Sequence, residues 1–112
     1  MTTRSTEAHA RTAPIDDAIR IKFTALARRW KSGRGPESSI ARLSMHPAYQ
    51  QIIGMGNPVV PLLLSELETT PDHWFWALNA ITGADPVPEA DRGIMEKMTK
   101  AWLKWGAEHG YR

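Results

Sequence analysis

Apolar residues recur at helical spacing in two well-separated parts of the chain. The first series is Ile19, Phe23, Leu26, Ala27 and Trp30, and the second is Ile94, Met98, Ala101, Trp102 and Trp105. Counted from its first member, each series has intervals of four, seven, eight and eleven residues. This spacing is typical of amphipathic helices. The sequence therefore predicts two long helices, each with an apolar stripe that must cover another surface.

The first long helix is predicted to run from about Asp16 to Lys31. Pro14 has the fixed φ angle that suits a helix start, and Asp16 and the aspartate after it place negative charge against the helix dipole. Gly33 and Gly35, with a proline directly after them, are expected to end the helix in a turn.

A block of shorter helices is predicted between the two long ones. Most of the apolar residues lie in the segment 46–83, where Pro, Gly and Asn divide them. Pro47 suits the first position of a helix of about two turns, which Gly56 would interrupt. Before it, Ser38 and Ser39 are candidate caps for one or two helical turns.

Two further helices are predicted within this block. Asn57 is expected to cap the first, and Asp72 to cap the second, which Gly83 would end in the left-handed conformation. Trp74 and Trp76 are two residues apart, about 200° around a helix, so they cannot share one face. Trp74 is assigned to the core and Trp76 to a contact surface, although burial of this helix on all sides remains an alternative.

The length and composition favour a single all-α domain. The chain has 112 residues, of which 42% are hydrophobic and five are Trp, and no strand-like alternation competes with the helical pattern. We expect a compact array of about four to five helices over residues 14–112, after a disordered polar tail at residues 1–13. The chain has no Cys, no apolar signal segment and no membrane-spanning run, so a cytoplasmic protein without a membrane partner is expected.

Charge is divided unevenly along the chain. Residues 1–42 contain nine Lys or Arg and four Asp or Glu, whereas residues 43–112 contain five and eight. Such asymmetry favours an acidic protein partner, with nucleic acid, or a second copy joined through its acidic half, as alternatives. Cations at the end of the first helix also complement its dipole. The candidate partner-binding residues are Arg20, Arg28, Arg29, Lys31, Arg34 and Trp76.

No catalytic, cofactor or metal signature is recognisable. The glycines of the segment IGMGNP follow no strand and precede no Lys-Ser or Lys-Thr pair, so a tight turn explains them better than a phosphate loop. His46, His73 and His109 lack the spacing that places two ligands on one helix face. His46 is expected instead to close the start of a helix. We therefore expect no enzyme activity, no cofactor and no metal.

The segment IIGMGNPVVPLLLSELETTPDHWFWALNAITG resembles a HEAT-like helical repeat, in which paired helices stack through their apolar faces. Together, the stretches HPAYQQIIGMG and WFWALNAITG also resemble those of small uncharacterised bacterial proteins. The chain holds one full repeat unit at most, so a bundle with the long helices as caps is expected rather than a solenoid. The resemblance implies a non-enzymatic interaction protein of a bacterium, phage or mobile element, such as an inhibitor, antitoxin or complex subunit. The alternative is a nucleic-acid-binding accessory protein that uses the basic first helix.

Overall fold

Every regular element in the described part of the chain is helical, which confirms the all-α prediction. A computed structural model describes residues 17–36 and 39–112. The α-helices are α1 (Asp17–Gly33), α2 (Ile40–Ser44), α3 (Pro47–Met55), α4 (Val60–Thr69), α5 (Phe75–Thr82) and α6 (Met95–Glu108), and 3-10 turns occupy Asn57–Val59 and Glu89–Asp91. The tail predicted at residues 1–13 lies outside the described residues.

The two long helices pack against different helices of the middle block. Helix α1 lies against α3, α6 lies against α4, and α3 in turn contacts α5. The predicted stripe of α1 is correct in its centre, because Phe23, Leu26 and Trp30 are buried. The helix continues past the predicted end to Gly33, and the chain turns at Gly35, which has a φ of +54°.

An aromatic cluster joins α1, α3 and the start of α5. Trp74 lies at its centre, with ring centroids 5.9 Å from Phe23, 4.5 Å from Trp30 and 5.5 Å from Tyr49. Trp30 donates a hydrogen bond of 2.8 Å to the backbone oxygen of Leu43, so the cluster also fixes α2. The hydroxyl of Tyr49 donates to the backbone oxygen of His73 and accepts from the N–H of Ala77.

The start of α3 has the predicted cap. Nδ1 of His46 accepts a hydrogen bond of 3.0 Å from the N–H of Ala48, and Pro47 occupies the first helical position. The next prediction is wrong, since Asn57 makes no side-chain capping bond. Instead Gly56, with a φ of +77°, turns the chain into a 3-10 turn that leads directly into α4. The positive φ at this glycine makes the turn that starts the 3-10 segment, and no side-chain cap follows it.

Helix α5 begins later than the sequence predicts. Its N-cap is Trp74, and Asp72 is not the cap because its carboxylate is engaged by Arg34 and by the N–H of His73. The predicted end is correct: Gly83 has the left-handed conformation, with a φ of +74°. Arg34, which is distant in the sequence, therefore binds the carboxylate of Asp72 that local sequence would assign to capping the helix.

The stripe of α6 is partly as predicted. Trp102 is buried, and Trp105 is half-buried, but Ile94 precedes the helix and is exposed. Helix α6 lies close to α4 at Gly106, where an added Cβ would lie 2.5 Å from Cδ1 of Leu64. Glycine is thus part of the helix–helix interface, a role that the apolar spacing of α6 does not reveal.

Candidate functional site

A groove of about 330 Å³ lies between α5, the loop at residues 84–94 and α6. Its lining is mostly apolar and draws on four parts of the chain. The apolar residues are Ile40, Phe75, Trp76, Val87, Met95, Met98 and Trp102. Concave, largely apolar sites of this size with few polar groups are typical of ligand and peptide binding.

Two large apolar side chains on this groove remain open to solvent. Trp76 is 47% exposed and Ile40 is 50% exposed, whereas Trp74 is fully buried. The assignment of Trp74 to the core and of Trp76 to the surface is therefore confirmed. Helix geometry explains the contrast, because residues two apart in helical backbone point in nearly opposite directions.

Polar side chains in the groove hold the loop over its base. The carboxylate of Asp85 forms an ion pair of 2.6 Å with Arg92, and the amide of Asn79 donates a hydrogen bond of 2.7 Å to the backbone oxygen of Ala84. Both interactions lie within or directly beside the loop 84–94. The groove is therefore shaped by the loop's own polar contacts, and its apolar floor is supplied by α5 and α6.

The candidate cations on α1 and directly after it separate into two groups. Arg20, Arg28 and Arg29 lie exposed on the outer face of the helix. Lys31 and Arg34 instead face other parts of the fold, where Lys31 pairs with Glu66 of α4 at 3.0 Å and Arg34 pairs with Asp72. The structure thus does not gather the six candidate residues into one surface, and Trp76 belongs to the groove.

The Arg34 ion pair is the best formed of the described charge interactions. Two hydrogen bonds of 3.0 Å join its guanidinium to both carboxylate oxygens of Asp72, and the guanidinium carbon lies 4.4 Å from the ring centroid of Trp30. Burial by itself raises the pKa of Asp72. The hydrogen bonds from Arg34 and from the N–H of His73, with the charges of both side chains, outweigh burial and lower that pKa below its usual value.

The three histidines among the described residues occupy separate environments. His46 caps α3, and the ring of His109 stacks on Trp105 at a centroid distance of 4.5 Å. His73 lines the groove together with Asp85, but no hydrogen bond joins these two side chains. Across residues 17–36 and 39–112, no three His, Asp or Glu side chains lie close enough together to hold a metal ion.

A comparison of the chain with protein-family models, curated proteins and solved structures finds no significant match. The resemblance to HEAT-like repeats and to small bacterial proteins therefore stays a prediction. Among the helices that the structure describes, none is long and apolar enough to cross a bilayer.

Sequence reasoning identified Trp76 but not the groove that it borders. The signals for the remaining lining were present: Val87 lies between two prolines, and Met95 and Met98 are three residues apart at the start of α6. Prolines on both sides of an apolar residue favour an extended loop that presents a side chain. These signals become a site only when the loop folds across α5 and α6, which no local pattern specifies.

Proposed function

We propose that this chain is a non-enzymatic protein-interaction module whose docking site is the groove beside Trp76. The observation that carries the proposal is the pairing of an apolar, concave surface with a half-exposed Trp at its edge. Trp is among the residues that most often dominate the energy of protein interfaces. Met95 and Met98 add flexible, polarisable side chains that adapt to a partner's shape.

The proposed occupant is an amphipathic helix of another protein. Such a helix presents apolar side chains one turn apart. These side chains would bind in the groove as anchors and pack against Trp76 and Ile40. The ion pair of Asp85 and Arg92 is more than half exposed, so both charges remain available to polar groups that flank the anchors. Aromatic residues, Met and Arg are enriched in interfaces of this kind.

The wider role that we propose follows from the resemblance described above. An inhibitor, an antitoxin or a subunit of a larger complex in the cytoplasm of a bacterium, or encoded by a phage or mobile element, would each use such a module. In all of these roles the chain acts by occupying a surface of its partner, without chemistry of its own.

A crosslinking experiment tests the groove directly. A photoreactive amino acid placed at position 95, which lines the groove and leaves Trp76 in place, should crosslink one protein in the native host, while the same group at the exposed Gln51 on α3, outside the groove lining, should not. The crosslinked protein is then purified and its affinity for the chain is measured by calorimetry.

The decisive measurement compares Trp76→Ala with Met45→Ala. Both residues are exposed and apolar, but Met45 does not line the groove. Removal of an interface anchor weakens binding by roughly tenfold or more, so Trp76→Ala should lose at least that much affinity while Met45→Ala keeps the wild-type value. Equal affinities for the two variants would exclude the groove as the docking site.

A further inference from the structure

The outer face of α1 carries a concentration of positive charge that the fold itself does not use. Arg20, Lys22, Arg28 and Arg29 are exposed, and none of them forms an ion pair with a residue that the structure describes. The remaining two cations of this helix region, Lys31 and Arg34, are both paired. The charge on the outer face is therefore available to a partner.

An exposed isoleucine lies among these cations. Ile21 is 68% exposed, the largest exposure among the bulky apolar side chains of the described residues. On the helix it is followed by Ala25, Arg28 and Ser32, at intervals of four, three and four residues, and all four positions are exposed. Intervals that alternate between three and four define one continuous seam along a helix, as in coiled coils.

The cations are placed beside this seam as flanking charges. Lys22 and Arg29 are seven residues apart, so they lie on the same side of the seam, where coiled-coil helices place the residues that pair with their partner. The opposite, buried face of α1 holds Phe23, Leu26 and Trp30. Helix α1 thus has a buried core face and an opposite, exposed face on which two apolar side chains, Ile21 and Ala25, lie beside the cations.

We propose that the outer face of α1, defined here by Ile21, Lys22, Ala25, Arg28 and Arg29, binds an acidic amphipathic helix of a partner protein. The apolar side chains of that helix would cover Ile21 and Ala25, and its carboxylates would pair with the flanking cations. This surface is separate from the groove beside Trp76, whose lining includes no residue of α1, and the inference does not depend on the proposed function.

The arrangement favours an acidic helix over nucleic acid. A phosphate backbone is bound through cations and hydrogen-bond donors, and an exposed isoleucine in the middle of the surface contributes nothing to that contact. A partner helix uses both features, because apolar contact and charge pairing occur along the same seam. The engagement of Lys31 and Arg34 within the fold also removes two of the six cations that would otherwise serve phosphate binding.

The test uses the full chain and a fluorescent synthetic helix of about three heptads, with Leu and Ala along its seam and Glu at the flanking positions. The flanking Glu residues repel each other, so the probe does not pair with itself. Its binding is measured by fluorescence anisotropy at about 0.05 M salt, where surface charge interactions are screened least. Duplex DNA of the same total charge is the competing probe.

Two variants and one control test the proposed surface. The double charge reversal Lys22→Glu with Arg29→Glu should weaken binding of the helix at least tenfold, and Ile21→Ser should weaken it about fivefold with the same dependence on salt. The control reverses two charges on α6, Lys97→Glu with Lys100→Glu, and should keep wild-type affinity. Circular dichroism checks that each variant is folded, and Ile21→Ser tests the surface even where the charge reversal perturbs folding.

Four results would overturn the inference. The first is no binding of the acidic helix to the wild-type chain, and the second is tighter binding of the DNA, which would assign the surface to nucleic acid. The third is an unchanged affinity of Ile21→Ser, and the fourth is an equal loss in the α6 control. Either of these last two would reduce the interaction to general electrostatic attraction.

Discussion

Arg34 and Asp72, 38 residues apart in the sequence, are joined by two hydrogen bonds of 3.0 Å each. The pair connects the end of α1 to the turn before α5, and the guanidinium also lies over the ring of Trp30. The side chains are 26% and 16% exposed, so most of each is removed from water. The arginine that the sequence offers as a partner-binding residue is therefore part of the internal structure.

Replacement of Asp72 by Asn should destabilise the fold by on the order of 2 kcal/mol at neutral pH, because the guanidinium loses a charged, doubly hydrogen-bonded partner. The folded-state pKa of Asp72 lies below its usual value. Its contribution to stability is therefore present above the unfolded pKa of about 3.9, and it is lost as the pH falls through the lower folded value. Urea unfolding between pH 2 and pH 7 should show the wild type and Asp72→Asn converging at the acid end.

Asp85→Asn is the matched control for this prediction. The ion pair of Asp85 with Arg92 is more than half exposed on both sides, and pairs of this kind contribute less than about 1 kcal/mol. If the two variants lose equal stability at neutral pH, the pair of Arg34 and Asp72 contributes no more to the free energy of unfolding than an exposed ion pair does.

The buried hydroxyl of Tyr49 should couple stability to alkaline pH. Burial is the main reason that the pKa of Tyr49 lies far above its usual value; the hydrogen bond from Ala77 lowers it, and the charge of Asp72 raises it further. Above about pH 10 the unfolded chain loses this proton while the folded chain keeps it, so stability falls as pH rises. Tyr49→Phe has no hydroxyl proton to lose at this position. Its unfolding free energy should therefore decline less than that of the wild type between pH 9 and pH 11.

At neutral pH the same variant should be less stable by about 1–3 kcal/mol, because the oxygen of His73 and the N–H of Ala77 both lose their partner. Urea denaturation provides both measurements. A variant that matches the wild type at pH 7 would show that these two backbone groups find other partners.

The sequence was sufficient for those features of the fold that are decided locally. His46 before Pro47, the left-handed stop at Gly83 and the opposite placement of Trp74 and Trp76 each depend on residues within one or two turns. Helical periodicity also located the long helices to within a few residues. These features follow from backbone preferences that act over short distances.

The remaining features depend on contacts between distant parts of the chain. Asp72 fits a helix cap by every local criterion, but Arg34 is brought to it by the packing of α1 against the middle block. Lys31 is likewise paired with Glu66, 35 residues away. The groove requires the loop 84–94 to fold over two helices. Single-chain spacing carries no information on such tertiary contacts, which routinely override local preference.

Trp30 and Trp74 are both fully buried but differ in their hydrogen bonding. Trp30 donates to the oxygen of Leu43, whereas the buried indole N–H of Trp74 has no partner within the described residues. Trp30→Phe should therefore cost about 1 kcal/mol more than Trp74→Phe, since both variants lose similar ring volume but only one loses a hydrogen bond. Thermal and urea unfolding of the two variants test this order, and a greater loss for Trp74→Phe would contradict it.

Gly106 should not tolerate a side chain, although it lies within a helix where alanine is ordinarily preferred. An added Cβ would lie 2.5 Å from Cδ1 of Leu64, which is fully buried and has little room to move. Gly106→Ala should destabilise the fold by roughly 1–3 kcal/mol through overpacking. Gly54→Ala in α3 is the control, because no atom lies within 4 Å of the added Cβ, and it should stabilise the fold by about 0.5–1 kcal/mol.

The double variant of Gly106→Ala with Leu64→Val separates this contact from a general effect on α6. Valine lacks the Cδ1 atom that the new methyl group would meet, so the clash is relieved while the helix keeps its alanine. The loss of unfolding free energy in the double variant should then be smaller than the sum of the two single losses by at least about 1 kcal/mol, as expected of residues in direct contact. Strict additivity in urea unfolding would place the cost of Gly106→Ala elsewhere, in the approach of Arg112 to the same glycine.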